Sequence, residues 1–263
     1  MTEIFADDPF AQPTIMPLIS YLVGISGQPP SLIRYGVTLL SGFPIGVAYR
    51  FIPREQILAK HLLSIITTIA MFMLAFNVAG LLHVLAAGTY VWLITRFYGT
   101  KLLSPIMCFV ILMIHLSYVH FVAQILRLDD PSFVDSSAPM MVLVMKLSSF
   151  AWSVYDGSKP PKELNTDQKT YAVTEHPSLV SYFGYCLFFC GVWIGPAFEF
   201  KTYDQFITEK GQFEKQRISL VHMAQVLAIA LVALGINLYL SPTVHYRHCT
   251  ESFFREEFSF IQR

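Results

Sequence analysis

The chain has 263 residues, of which 54% are hydrophobic and only 14% charged, and a mean hydropathy of +0.51. A water-soluble domain of that balance has too few polar groups to cover its own surface, so part of its solvent is lipid. Eighteen Lys and Arg balance eighteen Asp and Glu, which excludes a global basic field that would gather nucleic acid.

The opening stretch, MTEIFADDPFAQP, is acidic and proline-bearing. It lacks the basic and apolar regions of a signal peptide, so residues 1–30 are expected as a polar N-terminal tail and targeting falls to the first membrane helix. A hydrocarbon core about 30 Å thick takes about 20 apolar residues as a helix. Segments of that kind fall near 33–50, 58–78, 80–98, 102–126, 139–155, 178–195 and 218–240. Each is predicted helical, because lipid offers backbone amides no partner outside their own segment. The expected fold class is therefore all-α, a polytopic transmembrane helix bundle of about seven membrane segments forming a single membrane domain over 1–263. The YGTK turn after 80–98 predicts that this segment and 102–126 form an antiparallel pair.

Loop charges orient the bundle. Arg50, Arg54 and Lys60 follow the first segment, Arg96 and Lys101 the third, and Lys159, Lys162 and Lys169 the fifth; these loops are expected to be cytoplasmic. The opposite side has Arg127 in its first two loops, but Lys201, Lys210, Lys215 and Arg217 then collect between the sixth and seventh segments. Simple alternation fails there, so one segment is expected to be re-entrant or interfacial.

Inside the apolar segments, polar residues need a reason. Lys146 lies in MMVLVMKLSSFAWSVYDG, and a lysine at a helix centre costs about 2.5–3.5 kcal/mol unless it faces a cavity or a partner. At helical spacing Lys146, Ser149 and either Trp152 or Ser153 share a face that would suit a polar tunnel, with Tyr155, Asp156 and Gly157 following. The alternative is that Lys146 snorkels, Ser148 and Ser149 bond their own helix, and Trp152 and Tyr155 form an aromatic belt. His115 and His120 are five positions apart, about 140° around a helix, so they do not ligate one metal from the same face; packing is the more ordinary role for such histidines. His61, His83 and His222 lie near segment ends. Cys108, Cys186, Cys190 and Cys249 have no CxxC spacing, and neither disulfides nor zinc are expected. Gly195 and Pro196 stop an apolar helix, placing Phe198, Glu199 and Tyr203 at what would be the rim of a lipid or acyl chamber. The last segment, HYRHCTESFFREEFSFIQR, is amphipathic and suits the interface or the start of a further membrane helix.

At these residues the chain resembles the membrane-bound O-acyltransferase family, most nearly its lysophospholipid acyltransferases of fungal type. The resemblance rests on MVLVMKLSSFAWSVYDG and GPAFEFKTYDQF, preceded in order by SLIRYGVTLLSGFPIGVAYRFIP, YVWLITRFYG and HLSYVHFVAQI, with EHPSLVSYFGY between the two. It implies acyl transfer from acyl-CoA, as co-substrate, to the hydroxyl of a lysophospholipid, in a multi-pass protein of the endoplasmic reticulum membrane, with no metal or other cofactor and no nucleic acid. It also implies a catalytic histidine in an apolar segment, which takes the proton of the attacking hydroxyl, and an asparagine on an earlier loop. None of the eight histidines has an aromatic residue before it and a glycine after it, and both family motifs are expected beyond Arg263. No catalytic residue is carried over, and little transfer is expected from residues 1–263 alone. Lys146, Ser149, Trp152, Tyr155, Asp156, Gly157, Gly195, Pro196 and Tyr203 match the family's helix and chamber mouth, and are substrate-cavity candidates. A non-catalytic lipid-binding or regulatory membrane protein is the second reading. A small transporter is the third, but neither an inverted repeat nor a pair of broken helices supports it.

Overall fold

The computed structural model describes residues 16–27, 29–49, 51–76, 78–126, 136–214 and 219–240. Arg50, Arg127, Lys215, Arg217, Cys249 and the amphipathic segment after residue 244 lie outside them. The chain divides into two units, Met1–Lys215 and Gln216–Arg263.

The first unit is built from helices. They are α1 (Met16–Ser26), α2 (Pro30–Tyr49), α3 (Ile57–Ala75), α4 (Val78–Tyr98), α5 (Leu103–Phe121), α6 (Ser137–Gly157), α7 (Thr166–Tyr171), α8 (Leu179–Cys186) and α9 (Phe200–Thr208). The stretch expected as an N-terminal tail thus contains α1, an apolar helix that packs on α2 through Ile19. In the second unit the described helix is α10 (Leu220–Leu240). Six helices among the described residues are long and apolar enough to cross a membrane: α2 to α6 and α10. The protein is an all-α polytopic bundle, and α4 and α5 pack together as their short turn predicts.

Sequence period sets which face each helix buries. In α3 Lys60, Ser64, Thr68 and Phe72 recur every four residues, and all are buried. In α5 Ser104, Cys108 and Leu112 do the same, as side chains four apart must on a helix. The outward faces carry Leu62, Ile66, Leu82, Phe109 and Ile114. Buried hydroxyls and exposed aliphatics together suit a molecule whose outer solvent is hydrocarbon. The central helix is α6, buried over most of its length against α4, α5 and α8.

The structure differs from the expectation at 178–195. That stretch is not a seventh spanning helix. After the eight-residue α8 the backbone leaves helical geometry at Leu187, and it regains it only at Phe200, past a cis Gly195–Pro196 bond. Leu187, Phe189, Val192 and Trp193 in this stretch are buried. The run is apolar because neighbouring helices surround it, and non-helical backbone is tolerated at membrane depth when protein encloses it.

Candidate functional site

The segment from α8 to α9 enters and leaves the bundle at the same end. Near its start His176 Nε2 meets Thr95 Oγ1 at 3.0 Å, in the last turn of α4. Deeper, the Tyr182 hydroxyl donates to Gly88 O at 3.0 Å and Thr68 Oγ1 donates to Leu187 O at 2.6 Å. The deepest ring, Trp193, lies 4.8 Å from Phe72 and 5.9 Å from Phe76, centroid to centroid, at the far end of α3. The return limb passes Ser149 and Phe150 and ends in α9, where Lys60 near the start of α3 donates to Ile207 O at 3.1 Å. Lys60 also pairs with Glu209 at 2.8 Å, as Arg54 does at 2.6 Å.

This path removes the charge conflict. With 178–207 returning to its entry end, Lys159, Lys162, Lys169, Lys201 and Lys210 share that end with Arg54, Lys60, Arg96 and Lys101. Basic residues then collect at one end of the bundle, as the loop-charge rule requires.

Lys146 holds the re-entrant segment. Its side chain is 1% exposed, and Nζ donates to Tyr185 O at 2.6 Å, in the last turn of α8. There the helix leaves carbonyls without intrahelical donors and a cation is favoured. The ammonium also stands over the rings of Tyr185 and Phe198, 4.4 Å and 4.5 Å from their centroids. A charge-assisted hydrogen bond of about 1.5–3 kcal/mol with desolvated cation–π contacts of about 2 kcal/mol is of the order needed to offset burial of a lysine at a helix centre. The Tyr185 hydroxyl completes the tie by reaching Phe198 O at 2.9 Å and Lys146 O at 3.2 Å.

The other candidates divide. Ser149 donates to Glu199 Oε2 at 2.5 Å, so it joins α6 to the return limb, while Ser148 Oγ is buried with no hydrogen bond among the described residues. Trp152 is 42% exposed and meets Tyr155 edge to face at 6.1 Å, which suits an aromatic belt. Asp156 is buried at the basic end, bonded to Gln168 and paired with Lys159 at 3.6 Å. Gly195, with φ +98, and Pro196 form the turn of the re-entrant segment near Val142. Tyr203 is on the buried face of α9, its hydroxyl 2.8 Å from His61 Nδ1. The structure therefore brings Lys146, Ser149, Gly195 and Pro196 to one re-entrant segment, with Phe198 and Glu199; Tyr203 packs on the Tyr185 and Phe198 rings, 5.8 Å and 6.5 Å away, and Asp156 is set apart.

Sequence reasoning passed over Lys60, His61, Thr68 and Thr95, which anchor that segment. The signal for Lys60 and Thr68 was the four-residue spacing they share with Ser64 and Phe72 in an apolar run. At the basic end a polar cleft of about 450 Å³ opens between 173–178 and the first turns of α8 and α9, lined by Glu175, His176, Ser178, Lys201 and Asp204 among others. Burial holds the His176 imidazole below its ordinary pKa. Arg96 adds to that, while the Pro177 backbone opposes it. His83 Nδ1 lies 2.9 Å from His115 Nε2 across the α4–α5 pair.

The family of membrane-bound O-acyltransferases matches residues 132–260, which take in α6 and the whole re-entrant segment. A lysophospholipid acyltransferase of Saccharomyces cerevisiae is 35% identical over 182 residues, 66% of this chain and 29% of that protein. The chain belongs to the membrane-bound O-acyltransferase family. A lysophospholipid acyltransferase of Schizosaccharomyces pombe is 30% identical over 191 residues, 72% of this chain and 36% of that protein. Lysophospholipid acyltransferase 2 of Arabidopsis thaliana is 28% identical over 242 residues, 90% of this chain and 51% of that protein. The chain thus spans between 29% and 51% of the length of these relatives. For this acyltransferase-family chain, the candidates Lys146 and Ser149 and the whole re-entrant segment fall inside the matched region.

Proposed function

We propose that the polypeptide containing these residues transfers an acyl chain from acyl-CoA to the free hydroxyl of a lysophospholipid, in the endoplasmic reticulum membrane with its basic end toward the cytoplasm. The observation that carries the reading is the family match over α6 and the re-entrant segment, together with relatives named lysophospholipid acyltransferases. A protein-enclosed re-entrant segment held by a buried lysine suits a chamber in which a lipid hydroxyl and a thioester meet away from bulk water.

In the reaction the hydroxyl oxygen attacks the thioester carbonyl. The new C–O bond forms as the C–S bond breaks, the hydroxyl proton passes to a base, and coenzyme A leaves as thiolate. Residues 1–263 contribute walls: Lys146 fixes the position of the return limb, and Ser149 with Glu199 sets polar groups at membrane depth. The proton acceptor is assigned to none of the eight histidines in this sequence, because none has the expected neighbours.

The test compares membranes expressing the reading frame that contains these residues with membranes expressing residues 1–263 alone, each given lysophosphatidylcholine and labelled oleoyl-CoA. Diacyl product with matching release of free coenzyme A thiol is expected from the first, and background from the second. No product from the first overturns the reading; robust turnover by residues 1–263 alone overturns the assignment of walls without a base.

A further inference from the structure

The reaction proposed above leaves the lipid headgroup open, and one carboxylate of the site has the chemistry to select it. Glu199 is held by Ser149 through Oε2 at 2.5 Å. Ser149 lies eight residues before Gly157, the last residue of α6, which is about 12 Å inside the helix end at about 1.5 Å per residue. The carboxylate therefore sits at membrane depth.

Among the described residues it has no counter-cation, whereas two other carboxylates of the first unit are paired. Asp156 pairs with Lys159 and accepts from Gln168; Glu209 pairs with both Arg54 and Lys60. Glu199 enters no salt bridge among the described residues, and its Oε1 takes no hydrogen bond there. Lys146, on the same face of α6 as Ser149, is committed to Tyr185 O and to the two flanking rings. Charge held in a bilayer without a partner is costly, and that cost is relieved when a ligand brings the partner.

The surroundings of Glu199 are also open. Met145, Ser149 and Trp152 share one face of α6, with Met145 62% and Trp152 42% exposed. On the return limb Pro196 and Ala197 are exposed as well. Trp152 thus offers an accessible indole one turn along from the residue that holds the carboxylate. A carboxylate beside an open aromatic face is the pairing that receives an ammonium group.

Building on the lysophospholipid reading, we infer that Glu199, with Trp152 on the adjacent turn, receives the ammonium of a choline or ethanolamine headgroup and disfavours lysophospholipids whose headgroup leaves a net negative charge.

The experiment uses the whole chain in membranes, with photoactivatable lysophosphatidylcholine and lysophosphatidylglycerol offered at equal concentration. The choline probe is expected to label about tenfold more strongly, equivalent to about 1.4 kcal/mol. Glu199→Gln, which keeps the Ser149 hydrogen bond and removes the charge, is expected to bring the ratio close to one, whereas Glu199→Asp and the surface control Lys162→Gln leave it in favour of choline. Should Glu199→Gln fail to fold, Trp152→Leu is expected to lower the ratio, and an unchanged ratio there overturns the inference. Labelling by neither probe overturns the lipid-substrate reading itself. Labelling without headgroup preference, or a preference that Glu199→Gln leaves intact, overturns this inference alone.

Discussion

Lys146 shows how one residue decides the path of a segment far from it in sequence. Its ammonium satisfies a carbonyl at the end of α8, 39 residues away, and two rings, Tyr185 from α8 and Phe198 from the return limb, complete its environment. Lys146→Met keeps most of the stem but leaves Tyr185 O without its donor, at a cost of about 1–3 kcal/mol. Relief of the lysine's own desolvation works the other way. The re-entrant backbone has no water to turn to, so the loss is expected to dominate. The melting temperature in detergent should fall by several degrees, at about 2–4 °C per kcal/mol for a chain of this size. An equal or higher value would mean that the ammonium is there for something other than holding the segment.

Among the elements, α6 is the one on which the others close, and its C-terminal turn shows how tightly. Val173 N donates to Ser153 O at 2.9 Å, which brings the strand of chain after α7 against the helix end. A Cβ on Gly157 would collide with the carbonyl of Val173, which is backbone and has no rotamer to yield. Gly157→Ala is expected to pull the 158–175 connection away from α6, so that trypsin cuts at Lys162 or Lys169 several-fold faster in intact membranes. Gly42→Ala, where a Cβ meets nothing within 4 Å, should leave the rate unchanged, in line with alanine's better helix propensity. Elements of this kind were legible in the sequence to different degrees. Segments α2 to α6 could be read because each pairs sufficient length with an apolar outer face. The run 178–195 has the same length and the same apolar character, but it owes that character to burial in protein. Hydropathy does not distinguish a segment solvated by lipid from one solvated by helices. The ties of Lys146 and Thr68 to backbone carbonyls were not legible either, since a carbonyl partner leaves no mark in the side-chain sequence. The misplaced lysines after Phe200 were the one visible trace of the re-entrant path.

For the first unit as a whole, that path is a statement about sidedness, and the two readings of 178–195 predict opposite results. A spanning helix there would put Lys159 and Lys201 on opposite faces of the membrane. The observed path, with His176 against Thr95 at entry and Ile207 O against Lys60 at exit, puts them on one face together with Lys101. Single cysteines replacing Lys101, Lys159 and Lys201, in a chain whose four native cysteines are alanine, should all react with a membrane-impermeant maleimide from the same side of sealed vesicles. A cysteine replacing Val78, at the start of α4 and so at the other end of the bundle, should react only after the vesicles are opened or inverted. Lys201 labelling with Val78 and apart from Lys159 would restore the spanning helix. The lysine distribution would then stand unexplained, and the site built around Lys146, Ser149 and Glu199 would lose its frame. Concordant labelling of Lys159 and Lys201 instead excludes a spanning helix between them, as the path into the bundle and back requires. That route is what encloses Lys146 at membrane depth while leaving Glu199 beside an open face of α6.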